Sequence, residues 1–110
     1  MKIFCAYYPF ATIENELMTE WLLGRAPDPR YNLSAILRSE EVQDKFDAVL
    51  IDCPPRITTA CVNALCASTH LLIPTLLDEM SAQAAEYFSL QIKRMKATLF
   101  PRLELLGVVA

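Results

Sequence analysis

Residues 46–55 read FDAVLIDCPP, and the middle of this run constrains the fold more than any other part of the chain. Ala48, Val49, Leu50 and Ile51 follow one another between Asp47 and Asp52. A strand with one wet face alternates apolar and polar residues. This run does not, so it predicts a strand covered on both faces, as in a parallel sheet flanked by helices. Pro54 and Pro55 stop the strand abruptly, because neither can donate to a ladder. Asp52 then falls at the strand's carboxyl end. Asp47, at its amino end, reads as a solvated or capping residue.

The flanking sequence supplies further elements. Residues 2–8, KIFCAYY, predict a short strand ended by Pro9. Thr12 is positioned to cap a helix over 13–23, with Ile13, Leu17, Trp21, Met18 and Leu22 on one side and Gly24 as its stop. Residues 25–30, RAPDPR, predict a rigid polar turn with no regular element. A short helix is expected over 32–39, with Leu33, Ile36 and Leu37 inward, followed by a solvated connection or a continuation of that helix. Thr58 or Thr59 caps a helix over 60–67. Residues 71–77 form another apolar strand, in which Pro74 marks a bulge or an edge. Ser81 caps a long helix over 82–97, with Ala84, Ala85, Phe88, Ile92, Met95 and Leu99 inward. Residues 103–110, LELLGVVA, are the last strand. The connections between the last three strands are long enough for crossover helices, so the sheet is expected to be parallel. The fold class is therefore α/β: three layers, a mostly parallel sheet and crossover helices. With 110 residues there is room for one modest domain. The chain opens and closes within sheet elements, so the expectation is a partial domain, incomplete at both ends.

Composition removes several function classes. Charged residues are 21% of the chain and the net charge is −3, which disfavours a globally basic nucleic-acid binder. No apolar run approaches the roughly 20 residues needed to span a bilayer. Charges over residues 14–30 argue against a signal peptide, and a cytoplasmic location is expected. Cys5, Cys53, Cys61 and Cys66 lack C-x-x-C spacing. Cys61, Cys66 and His70 make at most a loose ligand set; ordinary core thiols are the better reading, and a reducing compartment fits.

Asp52 is the residue with the strongest chemical claim. In parallel α/β sheets ligands bind beyond the carboxyl ends of the strands. A carboxylate there is costly to bury unless something compensates it. A hydrated Mg²⁺ beside nucleotide phosphates would do so. Capping of local backbone amides would do so equally, and the residues alone leave both open.

Beyond the single residue, the order of features over 46–110 resembles the middle of the ParA/MinD-like partition ATPases, P-loop NTPases with a deviant Walker A motif. The features are the apolar strand ending in D-x-P-P at 52–55, Asn63-Ala64-Leu65 in an alanine-rich helix, Ile73-Pro74 closing a strand, a helix opening near Ser81, and the closing LELLGVV. D-x-P-P alone is a weak signal, but the ordered set is fairly specific. The resemblance implies that residues 52–55 are the Walker B and switch II region. Asp52 would position Mg²⁺, through water, in an ATP site, and Pro54 and Pro55 would shape the loop that senses the γ-phosphate. It also implies ATP and Mg²⁺ as cofactors, a nucleotide-closed homodimer, non-specific DNA binding and a partition protein that stimulates hydrolysis. Residues 56–59 would lie near the dimer interface. Arg56 departs from the small residue the family often has there.

Other parts of the family pattern have no counterpart. Gly24 and Gly107 are the only glycines, and neither precedes Lys-Ser or Lys-Thr. The backbone amide cradle for phosphates and its lysine are thus missing, as are the family's first strand, its switch I aspartate and its C-terminal adenine-contacting part. One carboxylate lacks most of the stabilisation that phosphoryl transfer needs. This chain alone is expected not to hydrolyse ATP usefully, and its binding of ATP is doubtful, whereas a parent protein would hydrolyse it. The alternatives are a non-catalytic α/β remnant or interaction module, or a deviant-Walker-A ATPase of another pathway.

The remaining features read more simply as structure. Lys93, Arg94, Lys96 and Arg102 form the one basic cluster; a solvated face explains them better than DNA contact. Trp21, Tyr7, Tyr8 and Tyr87 are dispersed, and packing explains them better than a stacking platform. His70 reads as a histidine at the core's edge. Asp78 and Glu79 read as helix-terminus electrostatics.

Overall fold

The computed structural model describes residues 1–3, 10–53 and 56–110. The expected first strand over 2–8 and the pair Pro54-Pro55 lie largely or wholly outside the described residues. Among the described residues, five α-helices and two strands follow in the order α1 (Phe10–Leu22), α2 (Asn32–Leu37), α3 (Glu40–Lys45), α4 (Thr59–Ala67), β1 (His70–Pro74), α5 (Glu79–Leu99) and β2 (Glu104–Val109), with a 3-10 turn, Pro29–Tyr31, before α2.

The α/β class with a parallel sheet and a crossover helix is what the structure has. β1 and β2 pair in parallel, and α5 makes the crossover between them. The ladder runs from His70 opposite Glu104 to Pro74 opposite Val109. Its register slips between Leu71 and Leu72, which stand opposite Leu105 and Gly107, so Leu106 is the extra residue. The irregularity thus lies within β2 rather than at Pro74, which simply ends β1. Gly107 has φ +146°, a conformation that side chains rarely adopt, and its place beside the slip explains why glycine stands there.

The core forms where α4 and α5 meet the strands. Cys61 and Leu65 from α4, Ile92 from α5, and Phe100 and Leu103 from the turn before β2 are buried together. Ile57, Cys66, Leu71, Phe88, Met95 and Leu99 pack around them. The inner stripe expected for α5 holds at Ala85, Phe88, Ile92, Met95 and Leu99, while Ala84 faces solvent. Helix α5 begins earlier than expected. Its cap is Asp78, whose carboxylate accepts from the Ser81 backbone N–H at 2.8 Å and the Ser81 hydroxyl at 2.7 Å. An aspartate three residues ahead satisfies two donors where Ser81 as a cap would satisfy one.

The helices before the core depart from expectation in instructive ways. Helix α1 starts at Phe10, so Thr12 lies in its first turn rather than at its cap. Ile13, Leu17 and Leu22 are exposed, and the half-buried side is Glu14, Met18 and Trp21. Gly24, at φ +71°, ends α1 in a Schellman turn: Arg25 N–H donates to Glu20 O at 2.8 Å and Gly24 N–H to Trp21 O at 2.9 Å.

The segment expected to be only a turn contains the 3-10 element, because proline is tolerated at a first helical position. Pro29 is buried there. Asp28 grips Arg30 through Nε at 2.9 Å and a terminal guanidinium nitrogen at 2.6 Å. The guanidinium lies 4.8 Å from the Trp21 ring centroid and 5.8 Å from that of Tyr31. In α2, Ser34 is buried and Ile36 is exposed, contrary to the expected inward Ile36. Residues 40–45 form a separate helix, α3, with Glu40 and Glu41 in its first turn and Lys45 in its last, an arrangement that suits the helix dipole.

The largest correction concerns residues 46–53. They form no strand in the structure, and among the described residues no backbone hydrogen bond reaches 47–53 from another segment. Leu50 is 98% exposed and Val49 48% exposed. The physical reason is pairing. A strand apolar on both faces is stable only between neighbours that satisfy its backbone and cover its side chains. The one ladder among the described residues joins β1 to β2 and leaves this run aside.

Candidate functional site

Asp52 sits at the end of that run, exposed, and makes no hydrogen bond among the described residues. The premise that it is a buried carboxylate in need of compensation is therefore corrected. So is the capping alternative, because the backbone amides that open α4 have other acceptors.

Those acceptors define the local architecture. Thr58 Oγ1 accepts from Cys61 N–H at 3.2 Å. The Glu14 carboxylate, reaching across from α1, accepts from Ala60 N–H. Thr58 N–H itself donates to Arg56 O at 3.0 Å. Ile57 packs against the core while Arg56 is exposed. The loop that carries Asp52 is thus anchored on its downstream side, through Ile57 and Thr58, to the start of α4. Farther along α4, Asn63 Nδ2 donates to Thr59 O at 3.1 Å, and Asn63 Oδ1 accepts from Leu33 N–H at 3.2 Å, which joins α4 to α2. Asn63, chosen from sequence as part of a motif, is a helix-to-helix tie here.

Cys53, the neighbour of Asp52, is exposed, and Cys61 is 1% exposed. The Cys61 side chain lowers the Cys53 pKa to about 7, against desolvation and the Asp52 charge. Cys53 and burial together push the Cys61 thiol upward. Cys66 is different: its pKa is raised mainly by burial, and its thiol donates to Leu99 O at 3.8 Å.

Sequence reasoning passed over Glu14, because a glutamate on a mixed helical face reads as solvated. The other candidates are scattered. A shallow groove of about 340 Å³ lies between α5 and the sheet, lined in part by Thr75, Glu86, Ser89, Lys93 and Val108; Asp52 is not part of it. Lys93, Arg94 and Arg102 are exposed and Lys96 is half-buried. His70 is exposed at the start of β1, with Nε2 3.6 Å from the Glu104 carboxylate and Nδ1 2.8 Å from Thr69 Oγ1. Tyr87 is 65% exposed and only Trp21 of the aromatics named is packed; Tyr7 and Tyr8, like Pro54 and Pro55, lie outside the described residues.

Mg²⁺ prefers six oxygen ligands and usually keeps several waters when one or two carboxylates hold it. Among the described residues no three His, Cys, Asp or Glu side chains gather as a metal cage. An exposed single carboxylate with free oxygens fits the outer-sphere role, in which phosphates and water supply the other ligands. Asp52 fits that donor chemistry, and among the described residues no protein-built Mg²⁺ cage stands in its place.

A parallel crossover unit flanked by helices is part of an α/β domain. The family comparison agrees: residues 2–105 match a family described as an AAA domain. The chain belongs to this family, and its relatives make it ParA-like. It is 31% identical over 87 residues to "Chromosome partitioning protein ParA" of Caulobacter vibrioides, an alignment covering 79% of this chain and 33% of that protein. It is 29% identical over 73 residues to "Chromosome-partitioning ATPase Soj" of Thermus thermophilus, covering 66% of this chain and 29% of that protein. The chain thus spans about a third of the length of the curated relatives it matches. No solved structure gives a significant match. Among the described residues no helix is long and apolar enough to cross a membrane.

Proposed function

We infer that residues 1–110 are the central portion of a cytoplasmic ParA-type partition ATPase domain. In that reading residues 52–55 are its Walker B and switch II loop. The observation that carries this reading is the family match across 2–105, within which Asp52 ends an apolar run and is followed by a loop anchored to the N-terminus of α4. Asp52 would hold a hydrated Mg²⁺ in its outer sphere, and the ion would neutralise charge on the phosphates of ATP. Pro54 and Pro55 would set the course of the loop at the γ-phosphate. The chain's own part in the cycle is positional. Thr58 and Glu14 fix the start of α4, and Ile57 fixes the loop to the core, so movement at the loop is passed to α4 rather than lost in a free segment.

The complete protein would form a nucleotide-switched homodimer that binds DNA non-specifically and responds to a stimulating partition protein. Residues 1–110 carry no K-G-G-x-G-K-[ST] cradle, so the chain alone is inactive in this reading. The test compares the longest product of the encoding reading frame with its Asp52→Asn variant. The reading expects Mg²⁺-dependent ATP hydrolysis that falls at least tenfold in the variant, and no micromolar Mg-ATP binding by residues 1–110. Undiminished hydrolysis in Asp52→Asn overturns the assignment. The lack of a cradle favours a second reading, a non-catalytic α/β interaction module; absence of hydrolysis from the longest product, with a stable fold, would select it.

A further inference from the structure

We propose that the groove between α5 and the sheet seats a second copy of this chain, with the two α5 helices antiparallel about a twofold axis near Ser89 and Leu90. The groove has a volume of about 340 Å³, and its lining includes neither Asp52 nor residues 56–59. Helix α5 supplies most of the wall, through Ala82, Glu86, Ser89, Leu90 and Lys93, and Val108 of β2 stands across from it. Leu90 and Val108 are exposed apolar side chains, so the groove keeps hydrophobic surface in water that an occupant would remove.

Charge selects the occupant. Glu86 and Lys93 are exposed, and neither enters an ion pair among the described residues. Seven residues make nearly two helical turns, so the two charges stand on one face about 10 Å apart. An occupant has to bring a cation to Glu86 and an anion to Lys93 at that spacing. A nucleic acid would satisfy Lys93 and be repelled by Glu86, and a uniformly basic or acidic helix would meet one charge of its own sign. An antiparallel copy of α5 meets both conditions by symmetry: Glu86 faces the partner's Lys93, and Lys93 faces the partner's Glu86. The same operation sets Ala82 opposite Ala97 and Ser89 opposite Leu90. Ala82 and Ala97 are both exposed, so no buried residue has to be uncovered, and their small side chains let the helix axes approach closely around Leu90. One helix pair is a small interface, so the dimer is weak and concentration-dependent. It uses neither nucleotide nor residues 56–59, and it does not rest on the function proposed above.

The test is sedimentation equilibrium of the 110-residue chain without nucleotide, from micromolar to millimolar concentration. The mass should rise from 12.4 kDa toward twice that value. Glu86→Lys and Lys93→Glu each turn the dimer's two attractive contacts into repulsive ones, and each should weaken association roughly tenfold. Both side chains are exposed, and circular dichroism checks that the variants keep the wild-type helix content. An equimolar mixture of the two variants restores opposite charges at both contacts, so a mixed dimer should form as readily as the wild-type one. The double variant Glu86→Lys with Lys93→Glu should dimerise by itself again. Wild type that stays monomeric up to millimolar concentration would overturn the proposal. So would a dimer indifferent to the single changes, or a mixture that associates no better than its two components.

Discussion

Replacing Leu50 by lysine separates the observed structure from the buried strand that the sequence suggests. A fully buried leucine contributes roughly 1.5–3 kcal/mol, and a lysine in its place would add the cost of an interior charge. A strand interior at residue 50 therefore predicts a loss of at least about 3 kcal/mol. The structure predicts otherwise. Leu50 is 98% exposed, so almost no apolar area returns to water on substitution. The expected change is within about 0.5 kcal/mol, as for surface substitutions that touch no special feature. Ile92 is the internal control. It is 1% exposed and lies in the core between α4, α5 and the strands, so Ile92→Val should cost about 0.5–1.5 kcal/mol and Ile92→Ala about 2–5. Urea unfolding followed by helical circular dichroism measures all three. A loss of about 2 kcal/mol or more in Leu50→Lys, with Ile92→Val behaving as a core change, would refute the exposed placement and restore the strand.

Other consequences are as direct. Glu14→Ala removes the acceptor for Ala60 N–H at the start of α4, and a charge-assisted bond of this kind is worth about 1.5–3 kcal/mol; a change in the unfolding midpoint should appear, with faster amide exchange at Ala60. Gly107→Ala forces a side chain into φ +146°, where no neighbouring atom obstructs it, so the cost is conformational alone, about 1–3 kcal/mol, and thermal melting checks it. Asp28 is held below its ordinary value, chiefly by the Arg30 side-chain hydrogen bonds. A depressed folded-state pKa stabilises above the unfolded value of 3.8 and is lost as pH falls through the folded value. Wild type should thus exceed Asp28→Asn in stability at neutral pH, and the two curves should converge below about pH 4.

Local chemistry was the legible part of the sequence. Thr58 caps α4 because its hydroxyl stands three residues ahead of an amide that needs an acceptor, and that pattern is visible in the letters. The stripe from Ala85 to Leu99 is visible in the same way, since an apolar period near 3.6 admits few other readings. What failed was whatever depended on a distant partner. Whether Val49 and Leu50 are covered depends on neighbouring strands, and no local pattern says whether neighbours are present. Which side of α1 turns inward depends on residues of the 3-10 turn such as Arg30, whose guanidinium lies against Trp21, while Ile13 and Leu17 stay in water. The Glu14–Ala60 bond spans 46 positions, and the sequence contains no sign of it.

These failures bear on how the candidate site is built. The sequence pattern places Asp52 from upstream, at the carboxyl end of a strand. In the structure the described anchors lie downstream, Ile57 in the core and Thr58 at the cap of α4. Among the described residues no hydrogen bond holds Asp52 from upstream. Pairing of residues 47–53 into a ladder would supply the second anchor, and it would cover Val49 and Leu50 in the same step. The exposed apolar run and the exposed carboxylate thus share one feature: neither is paired or covered by β1 and β2.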